Sequence, residues 1–261
     1  MYQITPVVKM LLILHIAIFF AQSLLDIDLI GRLGLRCILS TYFRPYQFFT
    51  HLFVHASLGH LLTNMFALFT FGPVLEHTLH SKKFITFYMI TGLGAAALYA
   101  GIQYAEVEEL ATLCHSYLSQ PDPENFVAYL KRFPHATYSS LHPFISDFFE
   151  HPNDMAYITE GKTIVHQLYK IKANMPTVGA SGSIFGIFMA FAMLFPNTKL
   201  FLFFMPFPVK AKYVIAICSV YELYAGIRGN PADNVAHFAH LGGILFAYLF
   251  IIWWKRRRYN W

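Results

Sequence analysis

The sequence predicts an all-α, polytopic membrane protein: a bundle of six membrane-crossing helices with a polar insertion between the third and the fourth. Three observations predict it. Hydrophobic residues make up 56% of the 261 residues and charged ones only 13%, against roughly 25% charged in a soluble domain. The mean hydropathy is +0.47. The apolar residues are gathered in long runs, none of which alternates polar with apolar as a barrel strand does. A chain with so little polar surface cannot cover a water-soluble globule, and a bilayer removes that need.

The apolar runs fall at 7–25, 58–75, 84–104, 179–195, 212–227 and 235–254. A crossing helix needs about 20 mostly apolar residues, so six crossings are expected, some of them short. The first run lacks a small-x-small exit and leads into a long loop, so it reads as a retained helix rather than a cleaved leader. With the N-terminus inside, Lys9, Lys82, Lys83, Lys199, Lys210, Lys212 and Lys255-Arg256-Arg257-Arg258 fall on the inner side, and Arg32, Arg36, Arg44 and Arg228 on the outer. That bias predicts cytoplasmic termini, and a bacterial cell membrane is the expected setting. Runs two, four and six then descend from outside to inside. The net charge of +5 is read as membrane flanks, which leaves nucleic acid without a binding patch.

Residues 105–174 differ from the rest. They carry nine of the 14 acidic residues and prolines at 121, 123, 134, 143 and 152. Stretches 126–133 and 164–172 are candidates for short amphipathic helices. The expected organisation is 1–104 as the first three core helices, 105–174 as a water-exposed insertion outside the membrane, and 175–261 as the last three helices with a basic tail. The insertion is either a tolerated loop expansion or a cap over the outer face. Cys37, Cys114 and Cys218 have no metal-ligand spacing and are odd in number.

Polar residues within crossing helices are expensive and mark function. Three clusters stand out. Gly179-Ala180-Ser181-Gly182 opens the fourth run. From Ser181 to Phe195 is 14 steps, about 21 Å of helix, which puts Ser181 roughly 9 Å below the outer edge of a 30 Å core. Ala239-His240-Leu241-Gly242-Gly243 lies in the sixth run, and His240 is again 14 steps, about 21 Å, from Trp254 before the basic tail. The two runs descend the same way, so Ser181 and His240 share a depth. Gly182 and Gly186 form one small face, and His240, Gly243 and Ala247 another, as close helix contact in lipid requires. Taken singly, the first cluster is a packing motif and His240 a satisfied interior histidine. Their common depth favours a nucleophile and its base.

The third cluster, His60-Leu61-Leu62-Thr63-Asn64, opens the second run. His60 and Asn64 are four apart and share a face. Each can donate a hydrogen bond to a developing oxyanion, or serve as polar glue between helices. The further histidines His51, His55 and His237 raise a metal site, but the inventory reads as histidine-only, with no carboxylate near the outer ends of the runs. No metal and no cofactor are expected.

Together these clusters resemble the rhomboid family of intramembrane serine proteases. The resemblance runs from Arg44-Pro45-Tyr46-Gln47-Phe48-Phe49-Thr50-His51 to Glu76, then through 179–186 and 237–247. It implies a six-helix core, a cleft open to the outer aqueous side and a Ser–His dyad without a third carboxylate. On it, Ser181 is the nucleophile and His240 the base. His60 and Asn64 hold the oxyanion beside the Ser181 main-chain N–H. His55 supports the first outer loop, Glu76 has a structural role, and Phe185 packs against the catalytic imidazole. Gly179, Gly182 and Gly243 are supporting positions. Tyr46-Gln47 replaces the Trp-Arg pair of some members. The implied partners are the lipid bilayer and single-pass transmembrane substrates. The rival readings are an inert rhomboid-like protein that binds membrane helices, whose relatives typically lack the serine or the histidine, and a transporter using the intramembrane histidines.

Overall fold

The computed structural model describes residues 3–25, 27–201, 207–228 and 235–259, with side chains up to Arg256. Of the basic tail, Arg257 and Arg258 therefore contribute no described side chain. Among the described residues the fold is helical apart from one short antiparallel pair, β1 (Lys199–Leu200) with β2 (Val209–Lys210), and an isolated bridge.

The first helix, α1 (Pro6–Leu24), begins with proline in its first turn, where the missing N–H costs nothing. Its next N–H groups find a distant acceptor. Val7 and Val8 donate from the main chain to Glu76 at 3.1 and 3.0 Å, and the hydroxyls of Thr5 and Ser81 donate to the same carboxylate. Glu76 thus caps α1 and matches the partial positive charge of its N-terminus. It sits near the end of α4 (Leu58–Leu79), one turn before α5 (Ser81–Ser119) starts. One carboxylate thereby ties together the N-terminal ends of α1 and α5 and the C-terminal end of α4.

Between α1 and α4 the outer loop folds into two short helices, α2 (Leu29–Leu33) and α3 (Gln47–Thr50), followed by a 3-10 turn at His51–Phe53. Gln47, 1% exposed, organises it. Its amide nitrogen donates to the carbonyls of Tyr42 and Arg32, and its oxygen accepts from the Arg44 and Arg36 N–H groups. Ser57 caps α4 by accepting from the His60 N–H at 3.2 Å.

The third apolar run does not stop at 104. Helix α5 continues unbroken for 39 residues to Ser119. Its outer half carries the insertion, built from α6 (Pro123–Leu130), α7 (His135–Ser140), α8 (His142–Glu150) and α9 (Met155–Asn174). This segment has its own core, in which Leu110, Tyr117, Phe126, Tyr129, Phe148 and Val165 bury one another. The end of α9 is fastened to the outer loop. The Ser40 hydroxyl donates to Asn174, the Arg36 guanidinium binds the Asn174 carbonyl, and Leu35 pairs with Thr177.

The remaining core helices are α10 (Ser181–Leu194), α11 (Ala211–Arg228) and α12 (His237–Tyr259). By length and composition, α1, α4, α5 and residues 237–256 of α12 are long and apolar enough to cross a membrane, while α10 is apolar but shorter. Helix α11, at 18 residues, is not among these apolar helices and holds a buried glutamate. Helices α5, α10 and α12 pack most closely, through small residues. A Cβ on Gly243 would run into the Gly182 carbonyl oxygen, and one on Gly242 would lie 2.8 Å from the Ala95 Cα. The Gly182 and Gly186 stripe, however, faces Ala95 and Thr91 of α5. Gly182 therefore meets Gly243 through its backbone rather than through the glycine stripe expected to face α12.

Candidate active site

The site is assembled at the N-terminal ends of α4, α10 and α12. Ser181 is the first residue of α10 and is partly exposed. Its neighbour Ser183 is fully buried and donates to the Tyr88 carbonyl at 2.8 Å, which makes it a helix fastener. The two serines are thus separated by environment: Ser183 is enclosed, and Ser181 is partly exposed.

His240 lies in the first turn of α12 and is 8% exposed. Its ring stacks on Phe185, with centroids 4.1 Å apart and planes within 11°. Phe185 is one turn beyond Ser181 on the same face of α10. The stacking therefore sets the imidazole above the end of the helix that Ser181 opens. The approach is possible because Gly182 and Gly243 let the two backbones touch.

His60 closes the site from α4. Gly179 takes φ of 120°, and a Cβ there would lie 2.5 Å from the His60 ring. Only glycine accommodates both that backbone conformation and the ring. The Gly179 N–H donates to the His51 carbonyl at 2.9 Å, which pins the segment entering α10 to the outer loop. Asn64, one turn along α4 from His60, is 5% exposed, and its side-chain nitrogen has no hydrogen-bond partner. A buried amide donor with no partner is uncommon and calls for an explanation.

His55 is fully buried behind His60, with ring centroids 5.1 Å apart in an edge arrangement. It also packs edge-on against His15 of α1, which stacks on Phe53 and bonds through Nε2 to the Tyr88 hydroxyl at 2.9 Å. His55 thus holds the outer loop against α1 and α4. The structure brings these residues together in pairs: His240 stacks on Phe185, Gly243 meets Gly182, and His60 lies against Gly179 and His55, with Ser181 and Asn64 next to these contacts along α10 and α4.

One neighbour went unforeseen. Glu222 of α11 reaches the N-terminal end of α12, with Oε2 2.9 Å from His240 Nδ1 and 2.7 Å from His237 Nδ1. All three side chains are buried. The expectation that no carboxylate lies near these histidines is corrected, because α11 packs beside α12 and brings a residue 18 positions away against the imidazole. The ligand inventory here is two histidines and one glutamate rather than histidine alone. The available signal was a single acidic residue inside an apolar run.

Sequence comparison gives this geometry a context. The family model described as the Rhomboid domain matches residues 42–111 and 155–257. An uncharacterized mitochondrial rhomboid protein of Schizosaccharomyces pombe is 27% identical over 212 residues, covering 79% of this chain and 50% of that protein. RHOMBOID-like protein 12, mitochondrial, of Arabidopsis thaliana is 23% identical over 216 residues, covering 82% and 47%. Rhomboid protein 1, mitochondrial, of Saccharomyces cerevisiae is 39% identical over 77 residues, covering 29% and 21%. The chain spans about half the length of the first and second of these. All three names carry the word mitochondrial, which goes against the expected bacterial cell membrane.

Proposed function

Because the chain belongs to the rhomboid family, we propose that it is an intramembrane serine endopeptidase that cuts single-pass membrane proteins at or near their membrane helix, with Ser181 as nucleophile and His240 as base. The observation that carries this reading is the His240 ring stacked on Phe185, one turn from Ser181, between helices in backbone contact.

The chemistry follows from which atoms are engaged. His240 Nδ1 faces Glu222, so Nε2 is the ring nitrogen left for the Ser181 hydroxyl. As Ser181 Oγ attacks the scissile carbonyl, Nε2 takes its proton, and the carbonyl π pair moves onto oxygen. His60, the Asn64 amide and the Ser181 N–H are the donors for that oxyanion. The Asn64 nitrogen without a partner supports this, since a donor already desolvated needs no reorganisation in the transition state. The N-terminus of α10 adds partial positive charge at the same place. Collapse of the intermediate passes the proton from His240 to the leaving amine. Water then attacks the acyl-enzyme with His240 again as base. No cofactor enters any step.

The protein is an integral membrane protein. The names of its relatives point to a mitochondrial membrane in place of a bacterial one. On the lysine and arginine count, the site opens on the face opposite both termini.

The test is cleavage of a transmembrane reporter in liposomes by the purified protein and by Ser181→Ala. Cleavage by the former alone, with fluorophosphonate labelling lost in the variant, supports the proposal. Retained cleavage by Ser181→Ala overturns it. A folded wild type that neither cleaves nor labels points instead to an inert helix-binding relative.

A further inference from the structure

A Ser–His pair needs its imidazole in one tautomer and one orientation, and the Phe185 ring fixes only the plane of the ring. Rotation within that plane, and the choice of which nitrogen carries the proton, are left to whatever Nδ1 meets. It meets Glu222 Oε2 at 2.9 Å. The same oxygen lies 2.7 Å from His237 Nδ1. His237 and His240 are three apart on α12, so both present Nδ1 to one side of the helix. Glu222 itself is 6% exposed, on a helix whose other described acidic residues are none. Burying a lone carboxylate among helices is costly unless donors surround it. Here the two imidazole N–H groups are the donors.

Resting on the protease reading above, we propose that Glu222 is a positioning residue for catalysis: its carboxylate accepts the Nδ1–H of His240, fixes the tautomer that leaves Nε2 basic, and faces the imidazolium formed when Ser181 gives up its proton. His237 donates to the same oxygen and holds the carboxylate in place. The arrangement is a triad in function, with the third member supplied by the neighbouring helix α11. The family resemblance implies only the pair.

The same three side chains could instead hold a divalent metal, since their ligand atoms lie within 4.8 Å of one another. The separations of 2.7 and 2.9 Å favour hydrogen bonds. Charge-assisted N–H···O bonds have these lengths, whereas two ligands on one tetrahedral zinc at about 2.0–2.1 Å each stand more than 3 Å apart. A metal on His240 would also remove the base.

The experiment compares wild type, Glu222→Gln, Glu222→Asp and Ser181→Ala in one reporter assay, with thermal unfolding and fluorophosphonate labelling of Ser181 on the same preparations. The expected result is a fall in kcat of roughly 10²-fold or more for Glu222→Gln. KM and Tm stay close to wild type, labelling slows in parallel, and Glu222→Asp recovers part of the rate. Four results overturn the inference. A Glu222→Gln variant within about threefold of wild type does so while the protease reading stands. Equal losses in the Gln and Asp variants, together with a lowered Tm, make Glu222 structural. One equivalent of tightly bound zinc in the active preparation makes the cluster a metal site. A folded wild type that neither cleaves nor labels sinks this inference and the protease reading together.

Discussion

The imidazole of His240 lies flat on the ring of Phe185, 4.1 Å between centroids and 11° between planes. This joins the base on α12 to the helix that Ser181 opens, without any covalent or charged link. Offset aromatic pairs contribute about 0.5–1.5 kcal/mol beyond the area they bury. Phe185→Ala should therefore lower kcat by about 10-fold, with KM little changed, as the ring loses its platform. Phe185→Tyr keeps the face and should retain most of the rate. A steady-state comparison of the two decides it: an Ala variant as fast as the Tyr variant removes the platform role.

The two oxyanion donors proposed on α4, His60 and Asn64, make a second prediction. His60→Ala and Asn64→Ala should each lower kcat on the order of 10²-fold. The double variant should fall by less than the product of the two, because both donors serve one charge. Asn64→Ala should leave the melting temperature near wild type, since the lost amide nitrogen had no partner. Single-turnover rates test this: a normal acylation rate in both variants would move the oxyanion site elsewhere.

The backbone contact between α10 and α12 makes a third. A Cβ at Gly243 collides with the Gly182 carbonyl oxygen, which cannot rotate away. Gly243→Ala should force the helices apart, lower Tm and abolish cleavage. Gly101→Ala on α5, where nothing lies within 4 Å, is the matched control and should change neither. Full activity in Gly243→Ala would show that the contact is not needed.

Glu76 separates stability from catalysis. Its carboxylate takes donors from Val7, Val8, Thr5 and Ser81, at the opposite end of α4 from His60. Hydrogen bonds to a charged group contribute about 1.5–3 kcal/mol each. Glu76→Ala should lower Tm clearly, while kcat per folded molecule, counted by Ser181 labelling, stays within a few-fold of wild type. A kcat loss with unchanged Tm would contradict a purely structural role.

The sequence by itself determined the positions along each helix. Apolar run length and the places of Ser181, His240, His60 and Asn64 within their runs follow from a rise of about 1.5 Å per residue. That one-dimensional reckoning put Ser181 and His240 at one level, and His60 and Asn64 at the start of the second run. The structure brings them to one end of the bundle, with Gly179, Phe185 and His55 around them. Glycine at 179 was legible as part of a motif, and its φ of 120° under the His60 ring is the physical reason for it.

Tertiary structure alone decided which face of each helix meets which neighbour. Rotation about a helix axis and the choice of adjacent helix depend on packing over the whole bundle, and a repeat of about 3.6 residues does not encode them across a loop. So Gly186 faces Thr91 rather than α12. For the same reason the inner acidic residue caps α1, and the insertion continues α5 and closes on its own aromatic core. Glu222 stands 18 residues before His240. Only the packing of α11 beside α12 turns that sequence distance into a hydrogen bond.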